Sequence, residues 1–219
     1  MMKKIVFIFT LVATCSFFAN AAEIIRPQLV CGGEAKSFFA QIYYSNLKTL
    51  NNKPIEAAAV KADCDKDNLY LTFDMEDNDI ITEATENQTK LGGFGDAVQI
   101  FLKSEKETFL WEFFVSCNGK KSCFFHMGAG RMSYPQADSP FPDFKVENKL
   151  SKGRWIAEVT IPLSIFREKG FKFTNDEKWT FMLIRHNDSR FHSERDNACY
   201  PQSGGSSSDP AYFGELVLK

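Results

Sequence analysis

Three histidines, His126, His186 and His192, are the side chains best suited to acid–base or metal chemistry. His186, Asp188 and His192 are close enough along the chain to share a metal ion, but their setting reads as a polar loop after a strand. Hydrolysis needs a nucleophile with its base, or two placed carboxylates. The sequence has neither Gly-x-Ser-x-Gly nor His-Glu-x-x-His. Asp63-Cys64-Asp65-Lys66-Asp67-Asn68 spaces three Asp as an EF-hand loop begins, yet the twelfth position is Asp74 rather than Glu. Its flanks also read as strand, so a β-turn is expected. A second acidic group, Asp74, Glu76, Asp77 and Asp79, offers hard oxygens to calcium, although a solvated strand end is the preferred reading. Calcium is the one cofactor candidate; otherwise none is expected. Haem needs axial ligands such as His with Met. His126 and Met127 are adjacent and point to opposite sides of a strand, and no Cys-x-x-Cys-His is present. Gly92-Gly93-Phe94-Gly95 and Gly128-Ala129-Gly130 lack the strand-to-helix setting of a phosphate cradle and read as turns. The expectation is a protein that is not an enzyme.

The elements that must carry any site are strands. Asn68 to Met75, Ala97 to Leu102, Phe109 to Cys117, Cys123 to Met127, Trp155 to Ile161, Trp179 to Arg185 and Glu215 to Leu218 show a period near two. In the second of these, Val98, Ile100 and Leu102 share one face and Ala97, Gln99 and Phe101 the other. Pro162 to Arg167 is the clearest helical signal, a single short turn. Many short strands with few helical turns predict an all-β, antiparallel β-sandwich of jelly-roll or immunoglobulin-like two-sheet architecture. The many Phe supply its inner faces, and Trp111, Trp155 and Trp179 are expected in the core. Ser133 to Phe144, with three prolines, and Gln202 to Ser208 read as surface loops.

The first stretch reads as an address. Met1-Met2-Lys3-Lys4 precedes an apolar run from Ile5 to Phe18, and Ala19-Asn20-Ala21 is a small-x-small cleavage pattern. Residues 1–21 are therefore expected to be a signal peptide, and 22–219 a single domain, secreted or periplasmic. Val12-Ala13-Thr14-Cys15 is a weaker, lipoprotein-like reading, because Thr fits poorly before the Cys. Export permits disulfides, and Cys117 and Cys123 flank a hairpin-like Asn118 to Ser122, where a bridge could close. With 26 basic and 28 acidic residues the formal net charge is −2, which argues against phosphate-neutralising nucleic-acid binding and against anionic membranes.

Four segments resemble family 9-type carbohydrate-binding modules, in the wider superfamily that includes DOMON domains. They are Asn68 to Phe73 with Glu76 to Ile80; Asp96 to Leu102 with Phe113 to Gly119; Gly153 to Leu163; and Trp179 to Arg185 with Asp209 to Leu216. They run in the family's order and cover about Ile55 to Lys219. The resemblance implies a β-sandwich that binds a saccharide between two Trp, with polar side chains on its hydroxyls. Carried onto this chain, Gln99 stands where the family has Glu, Phe94 stands at the first Trp position, and no aromatic residue occupies the second, at Ser206-Ser207-Ser208. Tyr200 is the substitute from the same loop region, and Arg185 and Asn187 match the strand end that holds sugar hydroxyls. The candidate site is thus Phe94, Gln99, Arg185, Asn187 and Tyr200.

The expected function is a secreted, non-catalytic carbohydrate-binding protein that uses aromatic stacking and polar side chains. Its partners would be an oligo- or polysaccharide and a separate carbohydrate-active enzyme. The alternative is a β-sandwich interaction module with a degenerate sugar site, binding a protein.

Overall fold

The computed structural model describes residues 26–40, 53–126, 133–135, 144–191, 195–203, 206 and 208–218. The expected signal peptide lies outside these residues, as do His192 and much of the two surface loops.

The described residues form fourteen strands: β1 (Gln28–Val30), β2 (Lys36–Ser37), β3 (Phe39–Ala40), β4 (Ala58–Cys64), β5 (Asn68–Asp77), β6 (Ala97–Ser104), β7 (Leu110–Ser116), β8 (Lys121–His126), β9 (Ser133–Pro135), β10 (Lys145–Ser151), β11 (Gly153–Pro162), β12 (Trp179–His186), β13 (Ala198–Tyr200) and β14 (Gly214–Val217). They form two sheets. A nine-stranded sheet runs β1-β14-β12-β6-β7-β8-β9, with β13 and β3 extending from the other half of the β12 edge. A five-stranded sheet runs β10-β11-β5-β4-β2. Pairing is antiparallel except where β1 lies parallel to β14. The two-sheet, nearly all-β architecture is the one the alternation predicted. The helix of Pro162 to Arg167 shortens to α1 (Ser164–Arg167), and Ser133 to Pro135 pair as a strand rather than a loop.

The alternation decides what is inside. Leu69, Leu71, Phe73 and Met75 of β5 face Val98, Ile100 and Leu102 of β6 across a dry interior that also takes all three Trp. Trp111 and Trp179 are edge-on or tilted against Phe166, Phe171 and Phe173, while Trp155 donates its indole N–H to Asn148 Oδ1 at 3.0 Å. Burying aromatic area on this scale is the main stabilising term.

The local chemistry of the acidic segments follows. Asp65 Oδ1 accepts from the backbone N–H groups of Asp67 and Asn68, making the β4–β5 connection an Asx turn, as expected. The second acidic group is not a solvated strand end. Asp77 and Asp79 are buried, and Asp74, Asp77 and Asp79 are paired with Arg154, Arg185 and Arg190. Among the described residues no cluster of three carboxylate, thiol or imidazole groups could hold a metal ion.

The Cys117–Cys123 bridge does not form. Cys123 sits opposite Phe113 within the ladder, whereas Cys117 lies past the end of β7 and gives its S–H to Ile81 O at 3.3 Å. Both are free, buried thiols, as is Cys199.

Candidate functional site

The nine-stranded sheet has a second, outward face that is largely covered. Phe101, Leu110, Met182, Ile184, Cys199 and Phe213 form one apolar cluster on it, and Ala84, Leu91, Ala97, Phe114 and Phe124 form another. Between them runs a row of polar side chains from four adjacent strands. His186 Nε2 lies 2.8 Å from Gln99 Oε1, Gln99 Nε2 donates to Glu112 Oε1 at 2.5 Å, and Glu112 Oε2 lies 2.7 Å from His126 Nε2. Register makes the row: Gln99 is level with Ile184 and Phe114, and Glu112 with Phe124, so period-two alternation points all four side chains outward.

The hydrogen-bond directions fix one tautomer. Because Gln99 donates to Glu112, its oxygen must accept, so His186 Nε2 carries a proton. Burial, helped by the nearby Arg195 guanidinium, pushes the His186 pKa down to about 4. The imidazole is neutral at physiological pH. Its ring is also covered. A Cβ added to Gly92 would stand 2.7 Å from His186 Nε2, so only glycine allows the Leu91–Gly93 turn to lie this close. Arg195 holds that turn by donating to Gly92 O at 2.6 Å while pairing with Asp188.

The five residues expected at the site divide by face. Phe94 ends the Leu91–Gly93 turn, with 48% of its surface exposed, and Gln99 lies in the polar row. Arg185 and Asn187 point the other way, into the sandwich. Arg185 has no exposed surface. It donates to Glu56 O, Glu76 O and Asn187 Oδ1 and pairs with Glu56 and Asp77, joining β12 to the five-stranded sheet. Asn187 Nδ2 donates to Glu56 Oε2 at 2.9 Å. Burial acts to raise the Glu56 pKa, but hydrogen bonds from Asn187 and Asn78 and the Arg185 charge outweigh it and hold it below the ordinary value. Tyr200 is also inside. Its ring stacks on Phe181 at 5.7 Å and Phe39 at 6.4 Å, and its hydroxyl donates to Gln28 O.

Three outward residues were missed by sequence reasoning. Glu112 and His126 sit in strands that alternate like any others, and only register brings them beside Gln99. Phe191, with 74% of its surface exposed, projects from a loop braced at Arg190 by Asp79 and tied by Arg195 to the turn before Phe94. A lone Phe in a polar loop was its only signal.

Comparison with known proteins agrees with this architecture. No curated protein matches the chain significantly. Among solved structures, a Bacteroides uniformis protein described as carbohydrate-binding superimposes with a TM-score of 0.68 at 14% identity, covering 86% of this chain and 87% of that one. A family 9 carbohydrate-binding module from Caldicellulosiruptor kristjanssonii, solved with glucose, gives a TM-score of 0.57 at 18% identity, covering 89% and 95% of the two chains. Its complex with cellotriose gives 0.56 at 17% identity, covering 88% and 92%. At these identities the likeness shows the fold alone. The sequence profile of the carbohydrate family 9 binding domain-like family matches residues 35–219, which contain both sheets apart from β1, and the chain belongs to that family.

Proposed function

We propose that this chain is an exported, non-catalytic carbohydrate-binding protein, with its ligand on the outward face of the nine-stranded sheet. The observation that carries this reading is the His186–Gln99–Glu112–His126 row set between two apolar clusters. A sugar ring has the matching duality of apolar C–H faces and a hydroxyl edge. His126 and His186 are half-buried and Gln99 keeps a little surface, so these three offer hydrogen-bonding groups, while the buried Glu112 orients Gln99 and His126 from below. Phe94 is the stacking ring of this reading, and Phe191, on the loop clamped to the same turn, is the second. Arg185, Asn187 and Tyr200 act from behind the sheet as positioning residues. The family 9 modules solved with glucose and cellotriose support β-linked glucose units as the first ligands to try. Export rests on the sequence of residues 1–21.

Calorimetric titration of the protein from residue 22 onward with cellotriose tests the reading. Saturable heat that falls at least tenfold in affinity in both Phe94→Ala and Gln99→Ala supports it. A folded protein that gives no heat with neutral mono- and oligosaccharides overturns it in favour of a protein-binding module. Loss of binding in Phe94→Ala alone would place the ligand on the loops rather than over the polar row.

A further inference from the structure

The five-stranded sheet also has an outward face, and it bears a depression that the polar row does not use. A cavity of about 840 Å³ opens there, lined in part by Lys53, Asp74, Glu76, Lys152 and Arg154. That volume is within the range of small-molecule sites, roughly 300–1,000 Å³. A second, smaller depression of about 210 Å³ is lined by Tyr70, Thr72, Glu147 and Glu158 among others. Tyr70, Thr72, Asp74 and Glu76 are alternate residues of β5, so they share one face. At roughly 3.3 Å per residue they mark a polar trough about 20 Å long.

The groups in the larger depression are already oriented. Arg154 Nε and Nη2 donate to the two oxygens of Asp74 at 2.7 and 2.5 Å, a forked pair that fixes both side chains. The Arg154 bonds hold the Asp74 carboxyl below its ordinary range, so it is ionised at neutral pH. The fork uses two of the five guanidinium N–H groups and leaves lone pairs on both carboxylate oxygens. Donors and acceptors therefore stand side by side, with Glu76 adding acceptors. Lys53 and Lys152 add donors and form no ion pair among the described residues. A hydroxyl both donates and accepts, so a polyol can satisfy such a surface, whereas an anion at Arg154 would meet Asp74 and Glu76.

We propose that the outward face of the five-stranded sheet is a second saccharide site, in which the Asp74–Arg154 fork holds a neutral oligosaccharide lying along β5. The site stands on its own residues and does not require ligand binding at the polar row. Asp74 and Arg154 are both about half exposed, so substituting them leaves the core untouched.

The test is nuclear magnetic resonance titration of the protein with cellotriose, with a trimer of uronic acid as the charged control. The expected result is saturable shifts in β5 and β11 that persist in Gln99→Ala and weaken at least fivefold in Arg154→Ala and in Asp74→Asn. Shifts confined to the nine-stranded sheet would overturn this proposal and leave the first site standing. Shifts confined to β5 and β11 would support it and count against the first. Binding of the uronic acid trimer in preference to cellotriose would refute the neutral-ligand assignment, and a folded protein with no shifts would refute both sites.

Discussion

Arg185 gives the sharpest division between a residue that holds the fold and one that holds a ligand. Replacing it with Leu removes a guanidinium with no exposed surface. The carboxylates of Glu56 and Asp77 lose their common cation, and the carbonyls of Glu56 and Glu76 lose a donor. Asp77 is already pushed above its ordinary pKa by burial, and one of its oxygens has no hydrogen-bond partner in the described structure. Removing one member of a buried ion pair costs about 3–5 kcal/mol, because the remaining charge is uncompensated. For a domain of this size each kcal/mol lowers Tm by about 2–4 °C, so Arg185→Leu should lose roughly 6–20 °C. Arg185→Lys, which keeps the charge but not the fork, should lose less. The pH dependence has a definite sign. Without the guanidinium the folded-state pKa of Asp77, already above its ordinary value, rises further, whereas Glu56 keeps its hydrogen bonds from Asn187 and Asn78. The proton Asp77 binds then stabilises the fold at low pH, and that contribution is lost as pH rises through the folded value. The deficit against wild type should therefore be smaller near pH 5 than near pH 8. Thermal unfolding followed by circular dichroism reads all of this. If Arg185→Leu unfolds within about 2 °C of wild type while cellotriose binding is abolished, Arg185 is a ligand residue and the reasoning fails.

Other outcomes follow from the same geometry. Gly92→Ala should drive the Leu91–Gly93 turn off the His186 ring, costing about 1–3 kcal/mol and weakening saccharide binding together with stability, as calorimetry and denaturant titration would show. Cys117 and Cys199, whose thiols burial pushes up to about 12 and about 11, should not react with a thiol reagent in the native protein, and a reducing agent should leave Tm unchanged. Burial pushes Asp96 up to about 7, against hydrogen bonds from the N–H groups of Ile81 and Asp188. Its proton stabilises the fold fully below about pH 4 and that contribution is gone once pH has risen through about 7, so stability should fall between about pH 4 and 7 and level off above, with a flatter slope in Asp96→Asn.

The resemblance and the alternation led to the same fold for separable reasons. Leu69 to Met75 and Val98 to Leu102 alternate because each strand has one wet or loop-covered face and one core face, and that pattern survives in one dimension. The short strands β1, β2, β3 and β13 were not legible, since two or three residues are too few to show a period and form only where a longer neighbour offers an unpaired edge. The acidic segment Asp74 to Asp79 was read as solvated because its guanidinium partners, Arg154, Arg185 and Arg190, lie far along the chain.

The candidate site shows the same boundary. The sequence by itself determined that Gln99 shares a face with Ala97 and Phe101, since side chains alternate along any strand. Register, which pairs Arg185 with Val98 and Ile184 with Gln99, decided that Arg185 faces the core while His186 faces outward. A shift of one residue would exchange them. The row from His186 through Gln99 and Glu112 to His126 depends on four strands meeting at fixed offsets. Those offsets are set by the packing of two whole sheets, a property no single segment carries.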